Sequence, residues 1–287
     1  MAVTSENALM AEREGELIER TQQPITVRSL AHDLGALGVK PATTLLVHSS
    51  LSSLGWVCGG PAAVILALEH VVGPAGTLVM PTHSSDLSDP ARWTSPPVPE
   101  SWWATIRAEM PPFDPDLTPC RRVGVIAECF RKQQTVRRSW HPQVSFAAWG
   151  LRAEEVTRDH SLARFGERSP LAKVYDADGW VLLLGVTHAS NTSLHLAEYR
   201  AAWPGKRTVR PSAPMMVDGN KRWIDWDDIE IDDHDFATIG DRFAHQSGLQ
   251  REGLVGQATA MLLPQRPLVD FAVTWMAEHR KAPTSDT

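Results

Sequence analysis

Apolar and polar positions follow one another along this chain in the order typical of short strands and amphipathic helices. Residues 26–38 place apolar side chains at helical spacing, with a threonine cap before them and a glycine after them. Short apolar runs at 43–48 and 76–81 flank a second helical pattern at 61–72. This order of strand, loop, helix and strand predicts a βαβ unit with parallel strands.

The second half of the chain continues this order and adds a hairpin. Residues 180–186 are apolar almost throughout, which predicts a buried strand, and a helix is predicted at 192–202. Residues 207–217 and 221–231 predict a β-hairpin that turns at an Asp-Gly-Asn sequence. The remaining predicted elements are helices at 123–132, 153–158 and 235–247 and after Pro267, and strands at 146–149 and 254–263. We therefore expect an α/β fold with a mostly parallel sheet between helices.

Two kinds of segment interrupt this order. Residues 82–120 are rich in proline, tryptophan and aspartate, with one short predicted helix, and a connection of this length is usually a lid or binding loop. Residues 1–24 and 281–287 are predicted to be loosely held ends. No linker divides residues 25–280, which we take as a single domain with insertions.

Composition narrows the class of protein. The 287 residues are 43% hydrophobic and 22% charged, with a formal net charge of −6. No apolar run approaches the ~20 residues of a membrane helix, and the N-terminus lacks the order of a signal peptide. The absence of a Lys/Arg tract argues against nucleic acid as a partner. Three scattered cysteines fit neither a disulfide framework nor a zinc site. We therefore expect a cytoplasmic protein without a metal. The sequence leaves the oligomeric state open.

Two stretches suit anionic groups. Residues 47–60 follow a predicted strand and hold four serines and three glycines, whose backbone N–H groups and hydroxyls can approach a phosphate closely. A serine-rich turn without a ligand fits the same pattern. Residues 118–124 combine two arginines with a helix start, which suits a second phosphate group.

The stretch 184–198 contains a candidate general base. His195 and Glu198 are three residues apart, so they share one face of the helix that follows a buried strand. A carboxylate beside an imidazole raises its basicity and fixes its orientation. The alternative is a surface pair, worth only about 0.3–0.5 kcal/mol.

Seven acidic residues crowd the segment 225–235. Asp228 and Glu230 share one side of the predicted strand, where a polycationic ligand would relieve their repulsion. A solvated edge strand is the alternative. Asp86, at the start of the long loop, is a candidate contact for a ligand amine, and His141 before a proline is either a site residue or a structural one.

Together these stretches resemble the aminoglycoside 3-N-acetyltransferase family. The resemblance rests on six ordered motifs between about residues 45 and 270: V-H-S-S-L-S-S-L-G at 47–55, G-T-L-V-M-P-T at 76–82, R-S-x-H-P at 138–142, G-E-x-S-P-L at 166–171, L-L-G-V at 183–186 and N-T-S-L-H-L-A-E at 191–198.

The resemblance implies a three-layer α/β/α fold, acetyl-CoA as the donor and direct transfer to an amine in a ternary complex. It implies His195 as the catalytic base, with Glu198 in the same motif. The acceptor implied is the 3-amino group of an aminoglycoside or another polycationic amine, with Asp228 and Glu230 near it. The implied coenzyme A contacts are Ser49, Ser50, Leu51, Ser52, Ser53, Arg121, Val123 and Gly124.

Other functions remain open at this point. An acyl-cysteine route would use Cys58 or Cys120. A non-catalytic module that binds coenzyme A or a polyamine would need the same loops without the base. A metal hydrolase has little support, because His188 and His195 lie seven residues apart without an H-E-x-x-H motif. The same fold could also acetylate an amine that is not an antibiotic.

Overall fold

A computed structural model describes residues 2–281; the predicted loose end beyond it lies outside the described residues. Its helices are α1 (Ala2–Arg20), α2 (Val27–Leu37), α3 (Gly60–Val72), α4 (Trp103–Glu109), α5 (Gly124–Phe130), α6 (Ala153–Thr157), α7 (Pro170–Asp176), α8 (Ser193–Arg200), α9 (Phe236–Ser247) and α10 (Gln265–His279). Its strands are β1 (Thr44–Ser49), β2 (Thr77–Pro81), β3 (Arg137–Arg138), β4 (Phe146–Gly150), β5 (Trp180–Leu184), β6 (Thr208–Val209), β7 (Ser212–Val217), β8 (Asn220–Asp225), β9 (Asp228–Ile229), β10 (Arg251–Val255) and β11 (Ala258–Pro264).

Seven strands form the central sheet, in the order β10-β11-β5-β1-β2-β4-β3. Strand β1 lies in the middle and runs parallel to both neighbours, so that Leu46 pairs with Val79 of β2 and Val181 of β5. The outer pairs are antiparallel. The predicted α/β fold is confirmed, and the parallel strands occupy the centre of the sheet.

Each face of the sheet is covered by a layer of helices. Side chains alternate along a strand, so Leu45 and Val47 point to one core, which includes residues of α2, α3 and α5. Leu46 points to the other, which includes residues of α6 to α10. The two apolar cores therefore produce the predicted α/β/α layers, because every central strand is buried on both sides.

Local sequence signals explain the ends of α2. The Thr26 hydroxyl accepts a hydrogen bond from the Ser29 N–H at 3.2 Å, and the Ser29 hydroxyl accepts one from the Thr26 N–H at 2.9 Å. Gly38 ends the helix in the left-handed region at a φ of 108°. The predicted cap and stop are confirmed, since each satisfies backbone groups that the helix leaves unpaired.

The chain differs from the predicted elements near its end. The segment predicted as one strand at 254–263 is two antiparallel strands, β10 and β11, joined by a tight turn. Gly256 adopts a φ of 58° in this turn, a conformation that suits glycine. The single-strand prediction was wrong because the glycine was read as part of the strand.

The hairpin is present but broken into two ladders. Strands β7 and β8 pair around Asp218 and Gly219, whereas β6 and β9 form a separate short pair. Trp223 of β8 donates its indole N–H to the Arg107 carbonyl at 2.6 Å, and the Phe113 N–H donates to the Pro214 carbonyl at 3.1 Å. These two hydrogen bonds therefore connect the hairpin to the long segment 82–120.

Residues 1–24, predicted as a loosely held end, include the helix α1 in this structure. The Trp56 indole donates to Glu14 at 3.1 Å, the Trp56 N–H donates to the Thr21 hydroxyl at 2.9 Å, and Gln257 donates to the Arg20 carbonyl at 2.9 Å. The end of α1 thus lies against the serine-rich loop and the turn between β10 and β11.

Replacement of a core side chain tests this architecture. Leu182 is fully buried in β5, opposite Val47 and Leu262 of the neighbouring strands. We expect Leu182→Ala to lower the free energy of unfolding by about 2–5 kcal/mol, because the cavity left behind cannot collapse in a sheet packed on both faces. Urea unfolding measures this. Leu254→Ala, at an exposed position of β10, is the control and should change stability by less than about 0.5 kcal/mol.

Candidate active site

A cavity of about 470 Å³ opens at the carboxyl ends of the parallel strands. It lies where β1, β2 and β5 pass into loops, the usual position of ligand sites in open α/β sheets. Its volume is in the range of small-molecule sites, about 300–1,000 Å³. The residues that matter for its chemistry are His48, Ser49, His83, Arg122, Val123, Gly124, Arg164, Phe165, Thr192, His195, Asp233 and Phe236.

His195 and Glu198 form a buried pair on one wall of this cavity. His195 Nδ1 lies 2.6 Å from Glu198 Oε2, and the Glu198 side chain is completely buried. Because a carboxylate only accepts, Nδ1 carries the proton and Nε2 is left with its lone pair. The pair thus directs His195 Nε2 away from Glu198 on the cavity wall, and the burial of Glu198 distinguishes it from a surface pair.

Aromatic side chains fix the His195 ring in place. Phe165 stacks on it with ring centroids 4.6 Å apart and planes 9° from parallel. Phe236, the first residue of α9, meets it edge-on at 4.7 Å. Asn191 sets the start of the helix, since its side-chain oxygen accepts the Ser193 N–H at 3.2 Å.

Two further histidines lie on the cavity wall. His48, at the end of β1, has its Nε2 3.2 Å from the Thr192 hydroxyl. Burial, together with the neighbouring His195, lowers the pKa of His48 to about 3. Burial also lowers the pKa of His83, just after β2, to about 3. Both imidazoles are therefore neutral at physiological pH and present hydrogen-bonding groups without a charge.

Of the predicted coenzyme A contacts at 49–53, only Ser49 lies in the cavity lining. The following residues form a 3₁₀ turn whose hydroxyls bond to one another and to the main chain. Ser53 donates to the Ser50 hydroxyl at 2.9 Å or to the Gly185 carbonyl at 3.1 Å. Leu51 packs against the apolar core. Contacts of Ser50, Leu51, Ser52 and Ser53 with coenzyme A stay a prediction.

The predicted cationic stretch, residues 118–124, likewise lies only partly in the cavity lining. Val123 and Gly124 line the cavity, and Arg122 beside them does too. Gly124 has a φ of 82°, and a Cβ there would lie 3.4 Å from the Ser49 carbonyl, so glycine keeps this loop close to the end of β1. Arg121 points away and pairs with Asp86 at 2.5 Å.

Each carboxylate predicted to bind acceptor amines has an arginine partner. Asp86 pairs with Arg121, as described above. Asp228 is buried 2.6 Å from Arg164 Nε and also accepts the Tyr199 hydroxyl. Glu230 lies on the surface 3.1 Å from Arg207. Asp86, Asp228 and Glu230 lie outside the cavity lining, and Asp233, which the sequence analysis did not single out, lies within it.

His141 is buried behind the cavity. Its Nδ1 accepts the N–H groups of Gln143 and Val144, each at 3.1 Å, and thereby shapes the turn before β4. Burial holds the pKa of His141 well below its usual value. The structure therefore gives His141 a structural place, and its contact with a substrate stays a prediction.

The cysteines lie away from the cavity lining. Cys58 is exposed, and burial raises the pKa of Cys120 to about 12, which leaves almost no thiolate at neutral pH. Among residues 2–281, no three His, Cys, Asp or Glu side chains are arranged to hold a metal ion. None of the helices described here is long and apolar enough to cross a membrane.

Sequence reasoning passed over several cavity residues. His48 stands in the quoted V-H-S motif at the end of a predicted parallel strand, so a signal for it existed. His83 follows a predicted strand in the same way. Arg164 and Asp233 come from irregular segments, and no spacing in the sequence places them beside His195.

Comparison with known proteins agrees with this geometry. Residues 46–277 match the family described as aminoglycoside 3-N-acetyltransferase. The chain belongs to this family of acyltransferases. The SPbeta prophage-derived aminoglycoside N(3')-acetyltransferase-like protein YokD of Bacillus subtilis is 44% identical over 91% of this chain and 95% of its own. The aminoglycoside N(3)-acetyltransferase VII of Streptomyces paromomycinus is 38% identical over 91% and 95%.

Solved structures of the family share this fold. The crystal structure of YokD matches with a TM-score of 0.90 at 43% identity, over 92% of this chain and 98% of that one. AAC-IIIb in binary complex with CoASH matches with a TM-score of 0.80 at 35% identity, over 91% and 100%. The family predicted from the motifs is therefore confirmed.

The buried histidine predicts a dependence of stability on pH. The pKa of His48 is about 3 in the folded protein and near 6.5 when unfolded, so only the unfolded chain binds a proton between these values. Its contribution is present above pH 6.5 and is lost as the pH falls towards 3, by up to about 1.4 kcal/mol per pH unit. Urea unfolding at about pH 7, 6, 5 and 4 should show a shallower loss for His48→Asn. Equal slopes in both proteins would contradict a neutral buried His48.

Proposed function

We propose that this protein is an acetyl-CoA-dependent N-acetyltransferase that modifies the 3-amino group of an aminoglycoside, with His195 as the general base. The observation that supports this best is the buried contact of 2.6 Å between His195 Nδ1 and Glu198, on the wall of the cavity at the sheet edge. Family membership supports the donor and the class of acceptor. Acetyl-CoA is a cytoplasmic metabolite, so we place the activity in the cytoplasm.

The proposed reaction needs a base of this kind. An ammonium group has no lone pair, so it first loses one proton to solvent, and the neutral amine then attacks the thioester carbonyl. As the new N–C bond forms and the C–S bond breaks, His195 Nε2 takes the second proton from the nitrogen. The departing coenzyme A thiolate then recovers a proton from the imidazolium. Glu198 stabilises the imidazolium while it exists.

The donor would reach this base along the side of the cavity formed by β1 and α5. Ser49, Val123 and Gly124 lie there, and Arg122 supplies a positive charge next to them. A cavity of about 470 Å³ accommodates the reacting ends of donor and acceptor. Holding both substrates together there allows direct transfer without a covalent enzyme intermediate.

A second candidate differs in the acceptor alone. The carboxylates Asp86, Asp228 and Glu230 each have an arginine partner, so they are less available to the ammonium groups of a polycation. This observation favours a simpler amine as the acceptor of the same reaction.

Removal of the base tests the proposed function. We expect His195→Gln to lower kcat about 10²- to 10⁴-fold, measured as thiol release from acetyl-CoA, because the variant lacks the imidazole nitrogen that accepts the proton of the amine. Binding of acetyl-CoA, measured by calorimetry, should persist. His234→Gln is a matched control, since His234 forms a comparable pair with Asp232 at 2.7 Å on the exposed surface. Full activity of His195→Gln would show that another group is the base.

A panel of acceptors separates the two candidates. We expect thiol release with aminoglycosides, at a rate above that of acetyl-CoA and enzyme alone, because the family acts on such amines. Simple monoamines and diamines form the second arm of the panel. Thiol release with these amines and none with any aminoglycoside would favour the second candidate over the first.

A further inference from the structure

Arg280 stands directly behind the His195–Glu198 pair. It follows the last residue of α10, and its side chain is almost completely buried. Its Nη1 donates to Glu198 Oε1 at 2.6 Å, 82 residues away along the chain. Nε and Nη2 donate to the two oxygens of Asp235 at 2.8 and 2.7 Å, and Nη2 also donates to the Asp232 carbonyl at 2.7 Å.

Both oxygens of Glu198 are therefore occupied by donors. Oε2 accepts from His195, and Oε1 accepts from Arg280 and from the Asp232 N–H at 2.9 Å. A buried carboxylate keeps its charge only with such partners. Arg280 is the cation among these donors.

The charges of this cluster suit a group that receives a proton. Glu198 and Asp235 supply two negative charges and Arg280 one positive charge, which leaves the cluster at −1 while His195 is neutral. When His195 accepts a proton, the cluster becomes neutral. Burial alone would lower the pKa of Arg280, but its hydrogen bonds to Asp235 and Glu198 outweigh this and raise it, so the guanidinium stays charged throughout.

We propose that Arg280 is a positioning residue for the base: it holds Glu198 ionised and oriented, so that the proton of His195 stays on Nδ1 and Nε2 remains free. This inference rests on the proposed role of His195 in acetyl transfer. Arg280 itself acts through Glu198 and contacts no reacting atom.

The guanidinium shape matters as well as its charge. Arg280 bonds Asp235 with two N–H groups while a third N–H reaches Glu198, and its Cζ lies 4.9 Å from the Trp203 ring centroid. Asp235 precedes α9, whose first residue is Phe236, the edge-on neighbour of His195. Arg280 thus connects the end of α10 to the start of α9 and to the base.

Other charged or titratable groups also face the pair. Lys206 lies in the loop after α8 and bonds to the Glu198 carbonyl at 2.7 Å. The remaining ones are His48 from β1, His83 from the loop after β2, Arg164 from the loop before α7, and Asp232 and Asp233 from the loop before α9. The variants below leave all of these in place, so a changed pH profile reports on Arg280 and its partners.

The test is the pH dependence of kcat for thiol release, and in particular its acid limb, the range in which kcat falls as the pH is lowered. Loss of a positive charge beside Glu198 raises the proton affinity of the Glu198–His195 pair as a unit, whichever of the two holds the proton. We expect Arg280→Met to move the acid limb up by about one pH unit, which lowers kcat by about tenfold at pH values below the limb, with recovery at higher pH. Arg280→Lys keeps the positive charge, so its acid limb should lie close to that of the unchanged protein.

Two further variants control this result. Arg200→Met removes a cation from the same helix as the pair, where Arg200 bonds Glu167 at 2.8 Å, and should leave the limb unchanged. Asp235→Asn removes a negative charge from the cluster, so the limb should move to lower pH. This opposite shift keeps the inference testable even where Arg280→Met fails to fold.

An NMR titration of the His195 ring makes the test independent of turnover. Its signal is assigned by its absence from His195→Gln, and its midpoint should rise in Arg280→Met and fall in Asp235→Asn. If acetyl transfer is not detected but these shifts occur, the proposed function fails while the role of Arg280 stands. A folded Arg280→Met with unchanged titration and unchanged acid limb would overturn the inference and leave Arg280 a structural link between α10 and α9.

Discussion

A carboxylate without contact to solvent is the constraint on which the rest of this molecule depends. Glu198 is completely buried, and an isolated ion in such surroundings would be strongly unfavourable. It is stabilised by His195 from its own helix, by Arg280 from the end of α10 and by the main chain before α9. Three separate parts of the chain therefore meet at the Glu198 carboxylate, beside the cavity wall that His195 lines.

Burial also sets the charge of two other side chains on the cavity wall. Burial keeps His48 and His83 neutral, and His48 hydrogen-bonds to the Thr192 hydroxyl. Outside the cavity lining, Asp228 pairs with Arg164 inside the protein, whereas Glu230 and Arg207 meet at the surface, where water weakens their attraction.

Much of the fold follows from local signals. The caps of α2 and the apolar runs of β1, β2 and β5 were predicted close to their observed limits, because burial on both faces of a sheet leaves a continuous apolar pattern. The β10–β11 turn was missed because Gly256 resembles a strand residue until its φ is known. At the site, His195 and Glu198 could be predicted as a pair because they are three positions apart in one helix.

The linear order of residues thus determined the layers of the fold, the family and the placement of His195 and Glu198 on one helix face, since these arise from near neighbours or from motifs. Only the tertiary structure decided that Glu198 is the carboxylate on His195, that Arg280 lies behind it and that Asp228 belongs to Arg164. These contacts span 3, 82 and 64 residues along the chain. The longer ones carry no periodic signature, because they form only after the sheet has brought distant loops to one edge.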